Sequence, residues 1–391
     1  MSREAQKFII AGAGGIGKAV GLILTDRPGI AVEIFIGDID KNLAEEVAKW
    51  ISDGCSSVCS VEAFEIHPSQ ITNEMDYVFK SGDIILDCLP GTEAPRMAKV
   101  AIDYNMHYVN LTEYVKETDE IIELAKNAKT GFVLQSGLAP GYINVVAHKL
   151  YKDFVKKFKI EKVDNIKMRV GALTSNVAPP SYYAFTWSPI GVATEYVKDA
   201  NIIKDGKLCK VPALTETEDR IIQGIRYEED FTSGGAADLP EFFQGKTQNL
   251  DYKTIRYPGH YNWIRTQIAE NKNEIDPVHA LLHQMLKKVP HIDDDLIVMY
   301  ASVSGVDANG ELKQLEHSQV VHPKTIGAHK LKAIQITTAA PMLESARMLL
   351  QGNYQGVVLQ SQIDPEKFMH GPFIQMVYNP KNHENHHFHE N

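Results

Sequence analysis

Two stretches of the chain place reactive or ligand-binding residue types at spacings that chemistry can use. The first is Gly12-Ala13-Gly14-Gly15-Ile16-Gly17, a G-x-G-x-x-G run directly after the apolar segment Lys7-Phe-Ile-Ile-Ala11. Glycines so placed permit a tight turn and let the backbone approach a pyrophosphate. A helix starting there adds unpaired N–H groups and the positive end of its dipole. Asp38 follows about twenty residues after the last glycine, the spacing at which a carboxylate meets the adenosine ribose. It would accept from the ribose hydroxyls and repel a 2′-phosphate, so NAD is expected rather than NADP. Ile39 flanks it, and Asp40 competes for the role. The second stretch is Arg256-Tyr257-Pro-Gly-His260. A planar guanidinium can grip a carboxylate with two parallel bonds, and an unperturbed imidazole titrates near neutrality. Arg256 is therefore the candidate anion clamp and His260 the candidate acid/base, with Tyr257 beside them. A structural salt bridge and a turn-capping histidine would read the same way in sequence.

Other chemistry is missing from the pattern. Cys55 and Cys59 lack a second pair, and His279 and His283 enclose Ala-Leu-Leu without the glutamate of a zinc protease. There is no Gly-x-Ser-x-Gly elbow, and no metal is expected. Cys88 has no lysine, arginine or histidine beside it to activate a thiolate. The His-rich tail, 382–391, reads as a frayed terminus.

The elements that must hold these residues alternate through the first third. Apolar runs at 7–11, 31–36, 61–66, 83–89, 107–111 and 132–135 read as strands. Helical patterns at 18–24, 42–50, 94–104 and 118–129 separate them, the last opening at Thr118 and closing with Gly131 in a left-handed conformation. Such alternation predicts an α/β fold, a Rossmann dinucleotide-binding domain built on a doubly wound parallel sheet. In that topology the fourth strand lies beside the first, so Cys88, Leu89 and Pro90 should line the cofactor. After about residue 137 the pattern turns to mixed strands and aromatic loops, with a hairpin turn at Asp307-Ala-Asn-Gly310. A helix over 333–351, ended by Gly352, follows.

The chain has 391 residues, 44% hydrophobic and 23% charged, with a net charge of −10. That is an ordinary globular composition, and its acidity argues against a generic nucleic-acid binder. No apolar run approaches the ~20 residues that span a bilayer, and no secretory signal is expected. Four cysteines in this length suggest a reducing, cytoplasmic setting.

Several segments together resemble the saccharopine dehydrogenase family, especially its lysine 6-dehydrogenase and saccharopine reductase branches. They are Gly137-Leu-Ala-Pro-Gly-Tyr-Ile-Asn144, Phe185-Thr-Trp-Ser-Pro-Ile-Gly191, Thr232-Ser-Gly-Gly235 and Tyr252-Lys-Thr-Ile-Arg-Tyr-Pro-Gly-His260. The resemblance implies a Rossmann domain over 1–137, a C-terminal return over about 330–391, and an α+β substrate and dimerisation domain over 138–329. It also implies a homo-oligomer, expected as a dimer, and hydride transfer between nicotinamide and the C–N bond of an amino-acid-derived amine. Ala139 and Asp38 depart from the reductase pattern and favour the lysine 6-dehydrogenase branch. A reductase that condenses an aldehyde with an amine is the alternative, and a catalytically silent nucleotide sensor the rival outside enzymes.

An amine releases hydride only once its ammonium has lost a proton, so such a site needs a proton acceptor and a partner for the substrate carboxylate. Tyr183, Trp187 and Tyr257 are expected to wall the pocket, and Tyr142 and Asn144 to reach it from the Pro-Gly turn. Glu113 and Glu195 are further candidates to accept the substrate ammonium, among many glutamates that would look alike in sequence.

Overall fold

The computed structural model describes residues 5–26, 32–55, 60–113, 115–175, 177–271 and 274–379; the His-rich tail and Cys59 lie outside them. The first part alternates β1 (Gln6–Ala11), α1 (Gly15–Thr25), β2 (Val32–Asp38), α2 (Lys41–Gly54), β3 (Ser60–Glu65), α3 (Asn73–Ser81), β4 (Ile84–Asp87), α4 (Ala94–Asp103), β5 (His107–Asn110), α5 (Val115–Ala125) and β6 (Gly131–Val133). Next come α6 (Tyr142–Phe158), β7 (Val163–Leu173), α7 (Pro189–Val197), β8 (Ala200–Lys204), β9 (Lys207–Val211), β10 (Glu218–Ile222), β11 (Ile225–Phe231), α8 (Leu239–Phe243) and β12 (Thr247–Arg256). Then follow α9 (His260–Glu270), α10 (Pro277–Lys288), β13 (Leu296–Val306), β14 (Leu312–Val321) and the small pair β15 (Lys324–Ile326) and β16 (His329–Leu331). The chain closes with α11 (Ala333–Gln351), β17 (Gly356–Val358), α12 (Pro365–Met369) and α13 (Pro372–Tyr378).

Seven strands form one parallel sheet in the order β17-β6-β5-β4-β1-β2-β3. It is the doubly wound Rossmann arrangement with one strand from the end of the chain added at the β6 edge. Alternate residues serve opposite faces: Ile10, Ile36 and Leu86 join the core under α1 and α11, while Ile9, Phe35 and Ile85 join the core on the other face. Burial on both sides explains why these strands read as unbroken apolar runs.

The second sheet is mixed, in the order β10-β11-β12-β7-β13-β14, with β8 on β12 and β9 on β8. Its β13–β14 hairpin turns at Asp307–Gly310, where Gly310 takes a φ of 82°. Helix α6 lies on this sheet, and its Ile143 and Val146 share one continuous core with Met168, Met299, Ile336 and Leu343. That core spans both sheets, with α6 and α11 between them.

Helix α11 starts where Asp295 accepts the N–H groups of Ala333 (2.7 Å) and Ile334 (2.8 Å), a cap supplied from the β13 side of the second sheet. One expected helix differs. Thr118 does not open α5, which begins at Val115 and stops at Ala125; Thr118 sits buried within it. Gly131 is in β6 rather than a left-handed cap. A Cβ there would lie 2.5 Å from Leu349 Cδ2 and 2.7 Å from Tyr354 Cβ, so glycine serves close packing.

Candidate functional site

The glycine loop joins β1 to α1 in a geometry that fits a dinucleotide. Gly12 has a φ of 104°, and a Cβ on it would come within 2.9 Å of the Cys88 carbonyl. A Cβ on Gly17 would sit 1.9 Å from the Gly12 carbonyl oxygen, so only glycine lets α1 pack this close to the turn. At Gly14 a Cβ meets nothing within 4 Å. Gly14 also caps α1 without a side chain. The first-turn N–H groups of Gly15 and Ile16 thus border an open cradle suited to a pyrophosphate, while the Ala13 N–H is taken by Asp38.

Asp38, ending β2, accepts the Ala13 N–H at 2.8 Å and the Asp40 N–H at 3.2 Å. It thereby fixes the loop and keeps its carboxylate at the sheet edge. Asp40 is committed elsewhere, capping α2 through Asn42 and Leu43. Ile39 is 64% exposed, an apolar face available to a base. The nearby Lys41 is paired with Glu74 at 2.8 Å. A 2′-phosphate would therefore face two acids and an occupied lysine. From the far end of the chain, Gln335 donates to the Gly15 carbonyl at 2.8 Å and accepts the Lys332 N–H at 2.9 Å. The returning helix thus braces the loop.

β4 lies beside β1, and the Cys88 N–H donates to the Ala11 carbonyl at 2.8 Å. Cys88, Leu89 and Pro90 therefore border the glycine turn through their backbone. The Cys88 thiol faces Met342 at 3.8 Å, and burial pushes its pKa up. It is not a nucleophile. Asp87 shapes this loop by accepting the Leu89 N–H at 3.0 Å and the Tyr108 hydroxyl at 2.6 Å; burial pushes its carboxyl up to about 6.

The second cluster gathers around Arg256, the last residue of β12. Its guanidinium is buried between the rings of Tyr183 (4.8 Å) and Tyr196 (5.5 Å). Nε donates to the Tyr196 hydroxyl at 2.6 Å and Nη1 to the Ile255 carbonyl at 2.8 Å. Nη2 faces Glu195 Oε2 at 3.8 Å. Glu195 projects from α7, is 6% exposed, and its Oε2 has no hydrogen-bond partner among the described residues. Burial lifts its pKa to about 7, against the downward pull of Arg256. Glu113 comes from the other part of the chain, in the loop beyond the C-terminal end of β5. Its carboxyl is held well above the usual range by burial and by the charge of Glu195.

The Thr232-Ser-Gly-Gly235 turn ties the two acids together. The Ser233 N–H donates to the Glu195 carbonyl at 3.1 Å. Gly234, at a φ of +87°, would place a Cβ 3.2 Å from Glu113 Cβ. Tyr252 fills the space over Gly235, where a Cβ would clash with its ring at 2.3 Å. Two carboxyls from different domains thus meet at the strand-end edge of the nucleotide sheet, within an aromatic wall.

Several expectations change. His260 is fully buried, donating from Nδ1 to the Ser181 carbonyl (2.7 Å) with Nε2 2.9 Å from the Tyr196 hydroxyl. Burial and the Arg256 charge push its pKa down to about 3, so it is a neutral structural imidazole, not the acid/base. Arg256 does not offer its side-on fork of Nε and Nη2, because Nε is bonded to Tyr196, and one hydrogen of Nη1 is spent on Ile255. Tyr257 points to the opposite face of the sheet, against Tyr227, as strand alternation from Arg256 requires. Tyr142 is buried and stacked on Tyr378 at 3.6 Å, away from the cleft.

Asn144, fully buried, accepts the Gly141 N–H (2.7 Å) and donates to the Gly235 carbonyl (3.0 Å) and the Met168 sulfur (3.5 Å), so it positions the turn. Tyr183 and half-buried Trp187 do stand at the cluster, Trp187 lying flat over Gly191 of α7. Tyr196 and Tyr252 were not singled out by sequence reasoning. The signal for Tyr196 and Glu195 was present in Pro189–Val197, an apolar helix with a single charge. Among the described residues no cluster of His, Cys, Asp and Glu is placed to hold a metal, and no helix is long and apolar enough to cross a membrane.

A Rossmann sheet with an open glycine cradle, joined to a second, mixed sheet beside two buried acids, is the architecture of a two-part dinucleotide-binding protein. The family comparisons say which family it belongs to. The saccharopine dehydrogenase NADP binding domain matches residues 8–134 and the saccharopine dehydrogenase C-terminal domain residues 137–377. The chain belongs to the saccharopine dehydrogenase family.

Among curated relatives, alpha-aminoadipic semialdehyde synthase of Arabidopsis thaliana is 28% identical over 186 residues, 45% of this chain and 16% of that protein. The mitochondrial protein of the same name from Bos taurus is 22% identical over 209 residues, 52% of this chain and 21% of its own length. The matched region is thus a small part of each relative. Apo saccharopine dehydrogenase (L-Glu forming) from Saccharomyces cerevisiae has a similar fold, with a TM-score of 0.70, 16% identity, and coverage of 93% of this chain and 96% of that one. Homospermidine synthase from Legionella pneumophila, solved with NAD, gives a TM-score of 0.66 at 12% identity over 93% of this chain and 88% of that one.

Proposed function

We propose that the chain is an NAD-linked dehydrogenase acting at the C–N bond of lysine or a lysine-derived secondary amine such as saccharopine. The observation that carries this reading is the Glu195 carboxylate, buried with an unpartnered oxygen and set toward a second carboxyl from the nucleotide domain. A carboxyl desolvated to about pKa 7 is suited to hold an ammonium and take its proton near neutral pH. Arg256 keeps that carboxyl from being permanently neutral. Tyr183, Trp187 and Tyr252 exclude water and offer apolar surface to an aliphatic chain. NAD, when bound, supplies the hydride acceptor, held by Gly12, Gly14, the first turn of α1, and Asp38 at the ribose.

Two acids facing one bonded arginine favour a cationic partner, which also suits the alternative of a reductase joining an aldehyde to an amine. A panel of lysine, saccharopine, diamines and keto-acid/amine pairs, run with NAD and NADP in both directions, tests the reading. Change in the reduced-nicotinamide absorbance with an amino-acid amine supports it. Turnover only of an aldehyde with a diamine transfers the site to the alternative, and NAD binding without any turnover leaves a sensor.

A further inference from the structure

The bonds around Arg256 run in one direction only. The Ser181 carbonyl can only accept, so His260 Nδ1 carries a proton. The imidazole is neutral, so Nε2 has a lone pair and takes the Tyr196 hydroxyl proton across 2.9 Å. The Tyr196 oxygen is then free to accept from Arg256 Nε at 2.6 Å. Were His260 charged, Nε2 would donate to Tyr196, and the Tyr196 proton would have to find another acceptor. With Nε fixed by Tyr196 and Nη1 by Ile255, the nitrogen left to face Glu195 is Nη2. We propose that Tyr196 and His260 are positioning residues that aim the Arg256 guanidinium at Glu195 and thereby set the pH at which that carboxyl ionises.

The inference rests on the proposed role of Glu195, and its groups come from every side of the cleft. Arg256 and Tyr252 belong to β12, Tyr196 to α7, His260 and Tyr261 to α9, Tyr183 to the loop before α7, and Glu113 to the loop after β5. Removing the Tyr196 hydroxyl leaves Arg256 Nε without its buried acceptor, and the guanidinium turns toward another one. An apolar residue at 260 leaves the Tyr196 proton without its acceptor, and the hydroxyl reorients. A glutamine at 260 still offers an acceptor oxygen.

The test reads the carboxyl itself and needs no substrate. Infrared difference spectra of the full chain are titrated from about pH 5 to about pH 9, and the protonated-carboxyl band lost in E195Q assigns Glu195. Y196F and H260L should raise the midpoint of that band by about one unit or more, a tenfold change in the ionisation constant, and H260Q should return it toward the wild-type value. A residue that merely supports the fold would alter melting temperature and leave the midpoint where it was. Unchanged midpoints in folded Y196F and H260L overturn the proposal, as does the lack of any band in this range that E195Q removes. Because the readout is independent of turnover, failure of the dehydrogenase reading in the substrate panel is distinguishable from failure here.

Discussion

Replacing Arg256 by methionine keeps length and removes charge, and the consequence can be worked from one distance. Nη2 and Glu195 Oε2 are 3.8 Å apart. At an effective dielectric of ~20 their attraction is about 4 kcal/mol, or about three pKa units at 1.36 kcal/mol each. Glu195, already lifted to about 7 by burial, would then titrate near ~10. At about pH 7.5 the ionised fraction falls from roughly three-quarters to a few per thousand. If the ionised carboxyl takes the substrate proton, kcat/KM of R256M relative to wild type should be down about 200-fold at that pH. The ratio should then climb about tenfold per pH unit until about pH 10. Taking the ratio at each pH cancels titration of the substrate amine, which both proteins share. The assay is initial rates of nicotinamide reduction across pH with an active amine from the panel. A ratio that stays constant with pH refutes the reasoning, because a lost contact or a loosened fold lowers activity evenly.

Three further outcomes are expected. D38A should weaken NAD about tenfold or more while changing NADP less, read as nucleotide Kd by fluorescence, since the lost partner is a charged acceptor for ribose hydroxyls. Q335A removes the 2.8 Å brace on the Gly15 carbonyl and should raise the NAD Kd roughly fivefold while leaving the amine KM little changed. His148 is buried against Phe242 and Phe243, and burial, with Lys152 and Lys246 adding, pushes its pKa from 6.5 down to about 4. The unfolded chain therefore binds this proton first. The stability it contributes is full above about pH 6.5 and is lost as pH falls toward about 4. Between about pH 7.5 and about pH 5 the melting temperature should drop less in H148L than in wild type.

Much of the nucleotide half was legible because local rules and tertiary demands agree there. Gly12 and Gly17 sit where turn and helix packing require glycine, Gly14 borders the open cradle, and Asp38 ends a strand whose apolar run was plain. The left-handed role expected of Gly131 failed because its neighbours, Leu349 and Tyr354, come from the far end of the chain.

The cleft was harder for the same reason. Glu113 and Glu195 belong to different domains, and only folding brings them together, so in sequence each was one glutamate among many. Arg256 and His260 do stand together, but His260 was read with an ordinary imidazole pKa where complete burial beside a guanidinium prevails. Tyr257 was placed in the pocket although strand alternation from Arg256 sends it to the other face. Asn144 illustrates a further ambiguity: an asparagine three residues into a helix after Pro-Gly is as much a cap as a ligand, and here it caps.

The paired carboxyls are the proposed acceptor for a substrate ammonium. The decisive measurement is nicotinamide reduction by NAD with lysine and saccharopine, comparing wild type with folded E113Q, E195Q and the double variant. Wild type should turn over at least one of these amines. E195Q should lose most of it while NAD affinity is retained, and the double variant should add little further loss. Wild-type rates in E195Q, or no absorbance change with either amine despite NAD binding, would contradict it.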